Sequence, residues 1–257
     1  MIFISVENVL TVLTPIWKTK NETASRVRGR IESVLDWASA RNYRSGDNPA
    51  RWKGLLDKLL AAPSRVKVVE HHRAILIDDC PAFVARLRMQ EGVSALALEF
   101  AILCAARSGE VRGARWDEID FQAALWTIPK DRMKAGKEHR VPLSAQAMEI
   151  LSTVKESDRI GLLFPAPRGG KLSDMTLTAL MRRMKVDAVP HGFRSTFRDW
   201  VSERTNYPRE LAEQALAHVI ENKVEAAYRR GDVLEKRRVM MNHWGEFLSS
   251  AVVYEQS

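Results

Sequence analysis

Residues 93–106 form an almost uninterrupted apolar run, V-S-A-L-A-L-E-F-A-I-L-C-A-A, and a folded chain has few places to put such a run. A helix needs roughly 20 apolar residues to cross a bilayer, so this run is too short to do so. It is therefore predicted to form a helix buried in a core. Hydrophobic residues make up 46% of the chain and charged residues 28%, which is typical of a folded, soluble protein and excludes a disordered or collagen-like one.

The elements around this run are predicted to be mostly helical. Asn21 is predicted to cap a helix whose apolar residues recur at the spacing of one buried face, namely Val27, Ile31, Val34, Leu35 and Ala38. Further helices are predicted at residues 52–62, 81–90, 110–115, 144–154, 173–184, 193–203, 209–218, 222–230 and 233–249. Residues 124–129 and 139–143 are short β-type runs, and the charged segment between them, which contains Gly136, predicts an antiparallel hairpin.

The fold class that follows is mainly α, in two parts. Residues 1–66 are predicted to form a helical N-terminal domain, residues 67–79 a linker, and residues 80–257 a mixed α/β domain with a small antiparallel sheet.

Positive charge is concentrated near the N-terminus. The formal net charge is +8, and residues 18–67, with 12 Lys and Arg against 5 Asp and Glu, carry +7 of it. One interpretation is a solvated helical face. The other is a nucleic-acid-binding surface, since Lys and Arg that neutralise phosphates release counterions and gain affinity.

Several classes of site find no support in the sequence. Cys80 and Cys104 lack metal-type spacing and are too few for a disulfide scaffold, which suits a reducing cytosol. There is no D-x-D, H-E-x-x-H, C-x-x-C or G-K-[ST] motif, so neither a metal nor another cofactor is predicted. The apolar opening at residues 1–17 contains Glu7 and Pro15, lacks a basic start, and is a poor signal peptide or membrane span.

One ordered set of residues fits phosphoryl transfer without a metal, which needs cations, a nucleophile and proton donors and acceptors. In chain order the set is Arg107 with Glu110, Lys134 in the hairpin loop, His191, Arg194, His218 and Tyr228. Each residue alone is a weak signal, because a lone His is usually structural and an Arg beside a Glu is usually a surface pair. The complete order is much more specific.

With these neighbours the sequence resembles the tyrosine recombinases, the phage-integrase family. The resemblance covers essentially the whole chain and rests on A-R-S-G-E-V at 106–111, V-P-L-S at 141–144, H-G-F-R-S-T-F-R-D-W at 191–200 and L-A-H-V-I-E-N-K-V-E-A-A-Y-R-R at 216–230. The last two, together with segments 23–38 and 230–238, look like the satellite-phage and genomic-island branch of integrases.

The resemblance implies a role for each matched residue. Tyr228 would attack a DNA phosphate and form a 3′-phosphotyrosine, with His191 as its base. Two arginines, Arg107 and Arg194, would clamp the phosphate, and His218 would donate a further hydrogen bond to it. Lys134 would protonate the leaving 5′-oxygen, with Lys137 as its main rival, and Glu110 would hold the site in place.

The family also implies partners. A partial core-binding domain at residues 1–66 would contact double-stranded attachment-site DNA through basic side chains, namely Lys18, Lys20, Arg26, Arg28, Arg30 and Arg41. The protein would be a monomer in solution and a tetramer on DNA, in the bacterial cytoplasm at the nucleoid, aided by DNA-bending or excision factors and with no membrane role. Residues 233–249 would pack on their own domain or dock into a neighbouring protomer.

The chain departs from the family at its start. Integrases of this branch usually begin with an arm-binding domain and an earlier core-binding helix, and both are expected to be missing here. A remnant prophage gene, a misplaced gene start or a deliberately shortened fragment would each explain this. Two other functions stay open: a remnant that binds DNA without efficient recombination, and a type IB topoisomerase with the same chemistry.

Overall fold

The computed structural model describes residues 4–66, 73–218 and 233–250. By its contacts the chain divides into two compact units, Met1–His71 and His72–Ser257, each with its own hydrophobic core. Tyr228, the helix predicted at residues 222–230, and residues 67–72 of the predicted linker lie outside the described residues.

The N-terminal unit is helical and contains α1 (Val6–Trp17), α2 (Asn21–Ala40), and the short helices α3 (Asp57–Leu59) and α4 (Pro63–Val66). Ser5 starts α1 with a capping box in which its hydroxyl accepts from the Asn8 N–H. The core is made by apolar residues of α1 and α2 and of the segment after them, namely Val9, Leu13, Trp17, Ala24, Leu35, Ala50 and Leu56.

Three local predictions in this unit are wrong. Asn21 does not cap α2; it is the first helical residue, and its Nδ2 donates to the Trp17 carbonyl at 3.0 Å. Val34 is 63% exposed rather than buried. The helix predicted at residues 52–62 is interrupted, because Lys53 has an extended backbone and Gly54 a φ of +81°.

The C-terminal unit is built around the apolar run. It begins with α5 (Cys80–Arg88), α6 (Val93–Leu103) and α7 (Ser108–Arg112). The buried position predicted for α6 is confirmed, since Leu98 and Phe100 have no exposed surface. Phe100 contacts Trp126 and Phe164, with ring centroids 5.4 and 5.5 Å apart.

A three-stranded antiparallel sheet lies beside this core. Its strands are β1 (Ile119–Asp120), β2 (Leu125–Ile128) and β3 (His139–Pro142), in that order. The predicted hairpin is confirmed, with Trp126 paired to Val141 and Ile128 to His139. The two-residue β1 lies in a polar segment whose composition gives no strand signal, and it was not predicted.

The remaining helices are α8 (Ala145–Ser152), α9 (Thr176–Arg183), α10 (Gly192–Arg204), α11 (Arg209–Ala215) and α12 (Leu234–Leu248). Of the two interpretations of the last helix, the structure shows packing on its own unit. Met240, Met241 and Leu248 are buried in the same core as α6, and the Trp244 indole donates to the Ile102 carbonyl at 2.9 Å.

Within residues 4–66, 73–218 and 233–250, no helix is long and apolar enough to cross a membrane. The same ranges hold no group of three or more His, Cys, Asp or Glu side chains placed to bind a metal ion.

Candidate active site

Arg107 and Glu110 form the first part of a charged cluster. Arg107 lies directly before α7 with an extended backbone, and Glu110 follows one turn later. The Glu110 carboxylate accepts from the Arg107 backbone N–H at 2.7 Å and from Arg107 Nη1 at 2.8 Å. Because the Glu110 side chain is only 6% exposed, this pair fixes the Arg107 guanidinium in position.

Arg194 brings a second guanidinium to the same place. It lies in the first turn of α10 and is 4% exposed. Its Nη1 donates to the Ala105 carbonyl and its Nη2 to the Leu216 carbonyl, each at 2.5 Å. Arg107 Nη2 lies 3.4 Å from the same Leu216 oxygen, so the two cations converge on one carbonyl.

The electrostatics of this pair favour an anion. Burial, followed by the positive charge of Arg107, lowers the pKa of Arg194 to about 10, against the opposing effect of Glu110 and Glu213. The Arg194 Nε atom is buried and has no hydrogen-bond partner among the described residues. A phosphate would relieve the repulsion between the two guanidinium groups and supply acceptors for their remaining N–H donors.

His218 completes the cluster from the chain segment after α11. Its Nε2 lies 3.3 Å from Arg194 Nη2, and its Nδ1 lies 2.5 Å from Glu213 Oε2. Since a carboxylate only accepts, Glu213 assigns the proton to Nδ1 and orients the Nε2 edge toward Arg194. Glu213 is itself fixed by Arg198, whose Nε is 3.0 Å away.

The backbone conformation after two helices helps to form this charged cluster. Ala105 follows α6 with a φ of 47°, and Ala217 follows Leu216 with a φ of 48°. Left-handed backbone costs a non-glycine residue about 1–2 kcal/mol. The surrounding packing therefore holds these two turns in place. One is at Ala105, whose carbonyl accepts from Arg194, and the other is next to Leu216, whose carbonyl accepts from both arginines.

Lys134 and Lys137 lie in the loop between β2 and β3, and both are exposed. The loop turns at Gly136, which has a φ of +62° and donates to the Met133 carbonyl at 3.0 Å.

His191 is exposed and immediately precedes α10, with its carbonyl 3.2 Å from the Arg194 N–H. His191 and Arg194 therefore begin the same helical turn, whereas Tyr228 is outside the described residues.

The structure adds His139, which sequence reasoning treated only as a strand residue. Its Nε2 lies 3.2 Å from the Ala215 carbonyl, next to Leu216. Burial, then the charge of Arg237, lowers the pKa of His139 to about 4, while the Ala215 hydrogen bond and Glu110 act in the opposite direction. No sequence motif marks this residue, because its role depends on a contact between β3 and α11.

The predicted DNA contacts in the N-terminal unit fall into two groups. One group is exposed and consists of Lys18, Lys20, Arg26, Arg30 and Arg41. The other is Arg28, whose side chain is 18% exposed and binds Glu32 at 2.6 Å and the Ala50 carbonyl at 3.0 Å. The Arg28 guanidinium is thus already used within the unit.

Comparison with known families defines the class of protein to which this fold and cluster belong. Residues 3–55 match the phage integrase central domain, and residues 76–234 match the phage integrase family. The chain therefore belongs to the phage integrase family of tyrosine recombinases.

Individual relatives are also phage and prophage integrases. The integrase of Enterobacteria phage P4 is 33% identical over 263 residues, which is 92% of this chain and 58% of the relative. Prophage integrase IntA of Escherichia coli strain K12 is 39% identical over 155 residues, which is 58% of this chain and 37% of IntA. The chain thus spans less than two thirds of the length of these curated relatives.

Solved structures show the same fold. A lambda integrase(75-356) dimer bound to a COC' core site matches with a TM-score of 0.60 and 17% identity, over 89% of this chain and 80% of that one. The integrase from mycobacterium phage Brujita matches with a TM-score of 0.53 and 17% identity, over 98% of this chain and 82% of that one.

Proposed function

We propose that the protein is a site-specific DNA recombinase that cuts and rejoins strands through a covalent 3′-phosphotyrosine. The observation that carries the proposal is the convergence of Arg107, Arg194 and His218 around the Leu216 carbonyl. This arrangement concentrates N–H donors and positive charge at one small site, as stabilisation of a phosphoryl transition state requires.

In the proposed site the two arginines hold the non-bridging oxygens of the scissile phosphate. Each guanidinium carries five N–H donors, so donors remain after the observed bonds to backbone carbonyls and Glu110. Glu110 keeps Arg107 oriented, which limits the reorganisation needed when DNA binds. His218 would donate a further hydrogen bond to the phosphate from Nε2 in its doubly protonated form, in which Nδ1–H stays bonded to Glu213.

The proposed reaction balances without a metal or nucleotide. The Tyr228 oxygen bonds to phosphorus while its phenol proton passes to His191, the assigned base. The P–O5′ bond breaks, and its electron pair leaves with the 5′-oxygen, which takes a proton from Lys134. An incoming 5′-hydroxyl reverses these steps, so the energy of the phosphodiester bond is kept in the enzyme–DNA link.

Double-stranded attachment-site DNA is the proposed substrate. Lambda integrase has been solved as a dimer on a core site and as a tetramer on a Holliday junction, and we propose a monomer that assembles into a tetramer on DNA, with accessory DNA-bending or excision factors. We propose that the exposed basic residues of the N-terminal unit, Lys18, Lys20, Arg26, Arg30 and Arg41, contact phosphates. Arg28 is left out because of its internal bonds.

Covalent trapping tests the proposal. The substrate is a pool of DNA duplexes of randomised sequence, each with a nick. Cleavage near the nick releases a short strand that carries the 5′-hydroxyl, so the protein cannot rejoin the DNA and stays attached to it. We expect a detergent-resistant adduct with the wild type and with Tyr207→Phe, a control that loses only the hydroxyl bonded to His243.

Other outcomes would support the competing functions. Salt-sensitive DNA binding without any adduct would indicate a protein that binds DNA without cutting it. Adducts of every sequence in the pool, with relaxation of any supercoiled plasmid and no strand exchange, would indicate a type IB topoisomerase.

A further inference from the structure

The loop that carries Lys134 is held at both of its ends by side chains that reach toward the arginine pair. Residues 134–138 of this loop are exposed. The loop follows Arg132 and the buried Met133 on one side and is followed by His139 on the other. Both flanking side chains are partly buried and bind backbone carbonyls of other elements. Together with the buried Met133, such anchors give the loop a defined position, because its exposed residues make few packing contacts of their own.

His139 anchors the loop to the end of α11. Its Nε2 is 3.2 Å from the Ala215 carbonyl, and the next residue, Leu216, accepts from both Arg107 and Arg194. A carbonyl only accepts, so Nε2 carries the proton and His139 acts as a neutral donor. Burial and the neighbouring Arg237 lower the pKa of His139 to about 4, which keeps the ring neutral under ordinary conditions.

Arg132 anchors the other end of the loop to α7. Its Nη1 donates to the Glu110 carbonyl at 2.9 Å, and its Nη2 binds the Glu118 carboxylate, which also accepts from the Trp126 indole. Glu110 is the residue that orients Arg107. One end of the loop is thus bonded to Ala215, the neighbour of Leu216, and the other end to Glu110, the partner of Arg107.

We propose that His139, together with Arg132, is a positioning residue that fixes Lys134 relative to Arg107 and Arg194, so that the lysine can protonate the leaving oxygen. This inference rests on the proposed recombinase function. General acid catalysis contributes about 10²–10⁴-fold, and a displacement of about 1 Å can cost about 10²-fold. Loss of an anchor is therefore expected to act on the step that needs the lysine proton.

The test compares two leaving groups on one duplex that the wild type cleaves. In the first the scissile bond is an ordinary phosphodiester. In the second the 5′-bridging oxygen is replaced by sulfur, so that a thiolate leaves with the electron pair of the P–S bond. A thiol has an ordinary pKa of about 8.5. A thiolate therefore leaves without a proton donor.

We expect His139→Leu, which keeps bulk but lacks a donor, to cleave the phosphodiester about 10²-fold more slowly and the sulfur substrate at nearly the wild-type rate. Lys134→Ala is expected to show the same pattern. His139→Gln retains an N–H donor and is expected to recover much of the phosphodiester rate. His243→Leu, which removes another histidine hydrogen bond of the same unit, should leave the ratio of the two rates unchanged.

Equal slowing of both substrates by His139→Leu would overturn the inference, because damage to the charged cluster or to the fold affects both leaving groups. Unchanged rates on both substrates would also overturn it. If Lys134→Ala shows the leaving-group effect and His139→Leu does not, the proposed function stands and this inference alone fails. If the wild type forms no adduct with either substrate, the proposed function fails and the inference fails with it.

Discussion

Arg194 shows how the site depends on a few buried polar bonds. Its guanidinium satisfies two carbonyls, those of Ala105 and Leu216, while lying beside the charge of Arg107. A buried cation is costly unless it is hydrogen-bonded, so these carbonyls stabilise the positive charge with no anion bound. The same bonds leave the remaining donors of Arg194 preorganised for an anion.

Replacement of Arg194 by lysine is expected to remove this preorganisation. Lysine keeps the charge but lacks the planar, forked guanidinium group, so at least one buried carbonyl loses its donor. We expect this loss to lower the free energy of unfolding by roughly 1–3 kcal/mol. We expect Arg194→Lys to form the covalent adduct about 10²–10³-fold more slowly. Arg204→Lys is the control, since Arg204 is exposed and pairs with exposed Asp78. Equal adduct rates for both variants would contradict the role of Arg194.

His139 makes a specific contribution to the pH dependence of stability. Its folded pKa, about 4, lies below the ordinary value of 6.5, so between these values the unfolded state binds more protons. This contribution is present above pH 6.5 and is lost as the pH falls toward 4. Denaturant unfolding at several pH values should show a smaller acid loss of unfolding free energy in His139→Gln than in the wild type. Parallel pH profiles would contradict the assigned environment.

The residues of the candidate site were predictable to different degrees. Arg107, Glu110, Arg194 and His218 were identified from sequence order and neighbours, and the structure brings them into contact. The internal bonds of Arg28 were not predictable, because Ala50 meets it only after the chain turns back. His139 was missed for the same reason, since its partner, Ala215, is distant in sequence.

Among the helices and strands, the hydrophobic pattern predicted which elements form. It did not predict where some helices begin or are interrupted, because that depends on local backbone geometry. The buried α6 and the β2–β3 hairpin follow directly from an apolar run and from two β-type segments around Gly136. The interruption at Gly54 lies where its backbone takes a positive φ, and the start of α2 at Asn21 is accompanied by a bond to Trp17 of α1. Such tertiary effects override propensity.

The start of α10 shows a close approach that only glycine permits. A Cβ atom on Gly192 would lie 2.2 Å from the Arg73 carbonyl oxygen and 2.9 Å from the Ala74 Cα. The carbonyls of Arg73 and Ile75 also accept hydrogen bonds from this region, from the Val189 N–H at 3.1 Å and from the Thr196 hydroxyl at 2.7 Å. The segment before α5 is therefore tied to the helix that carries Arg194.

Gly192→Ala is expected to lower the unfolding free energy by about 1–3 kcal/mol, because backbone rather than a flexible side chain must move. Gly109→Ala is the matched control, since Gly109 lies in α7 and a Cβ placed there would have no atom within 4 Å apart from its chain neighbours and the backbone of α7. That control should be neutral or more stable by about 0.4–1 kcal/mol. Thermal and denaturant unfolding measure both changes, and equal stability of the two variants would refute the close approach.

Over the whole molecule, the positive charge near the N-terminus and the candidate active-site residues belong to separate compact units. Nearly all of the net charge lies in residues 18–67, whereas Arg107, Lys134 and Arg194 lie in a segment close to neutrality. The net charge therefore indicated a polyanion partner, and the order of residues indicated where phosphate chemistry would take place.

Salt dependence of DNA binding can separate exposed from internal arginines. The logarithm of the DNA-binding constant falls linearly with the logarithm of the salt concentration. If exposed Arg30 contacts a phosphate, Arg30→Gln should make this slope less steep by about 0.9. Arg28→Gln should leave that slope unchanged and lower stability, because it removes the bonds to Glu32 and Ala50. Fluorescence anisotropy over a salt series measures both slopes. A reduced slope only for Arg28→Gln would reverse the assignment.

The most direct test of the central claim is to locate the covalent link to DNA on the protein. Adducts trapped on the nicked duplex pool are digested with nuclease and trypsin, and mass spectrometry identifies the modified peptide. We predict a nucleotide attached to Tyr228 within residues 224–229, and no adduct from Tyr228→Phe although that variant still binds DNA. An adduct of unchanged yield from Tyr228→Phe, or a link at another residue, would contradict the mechanism.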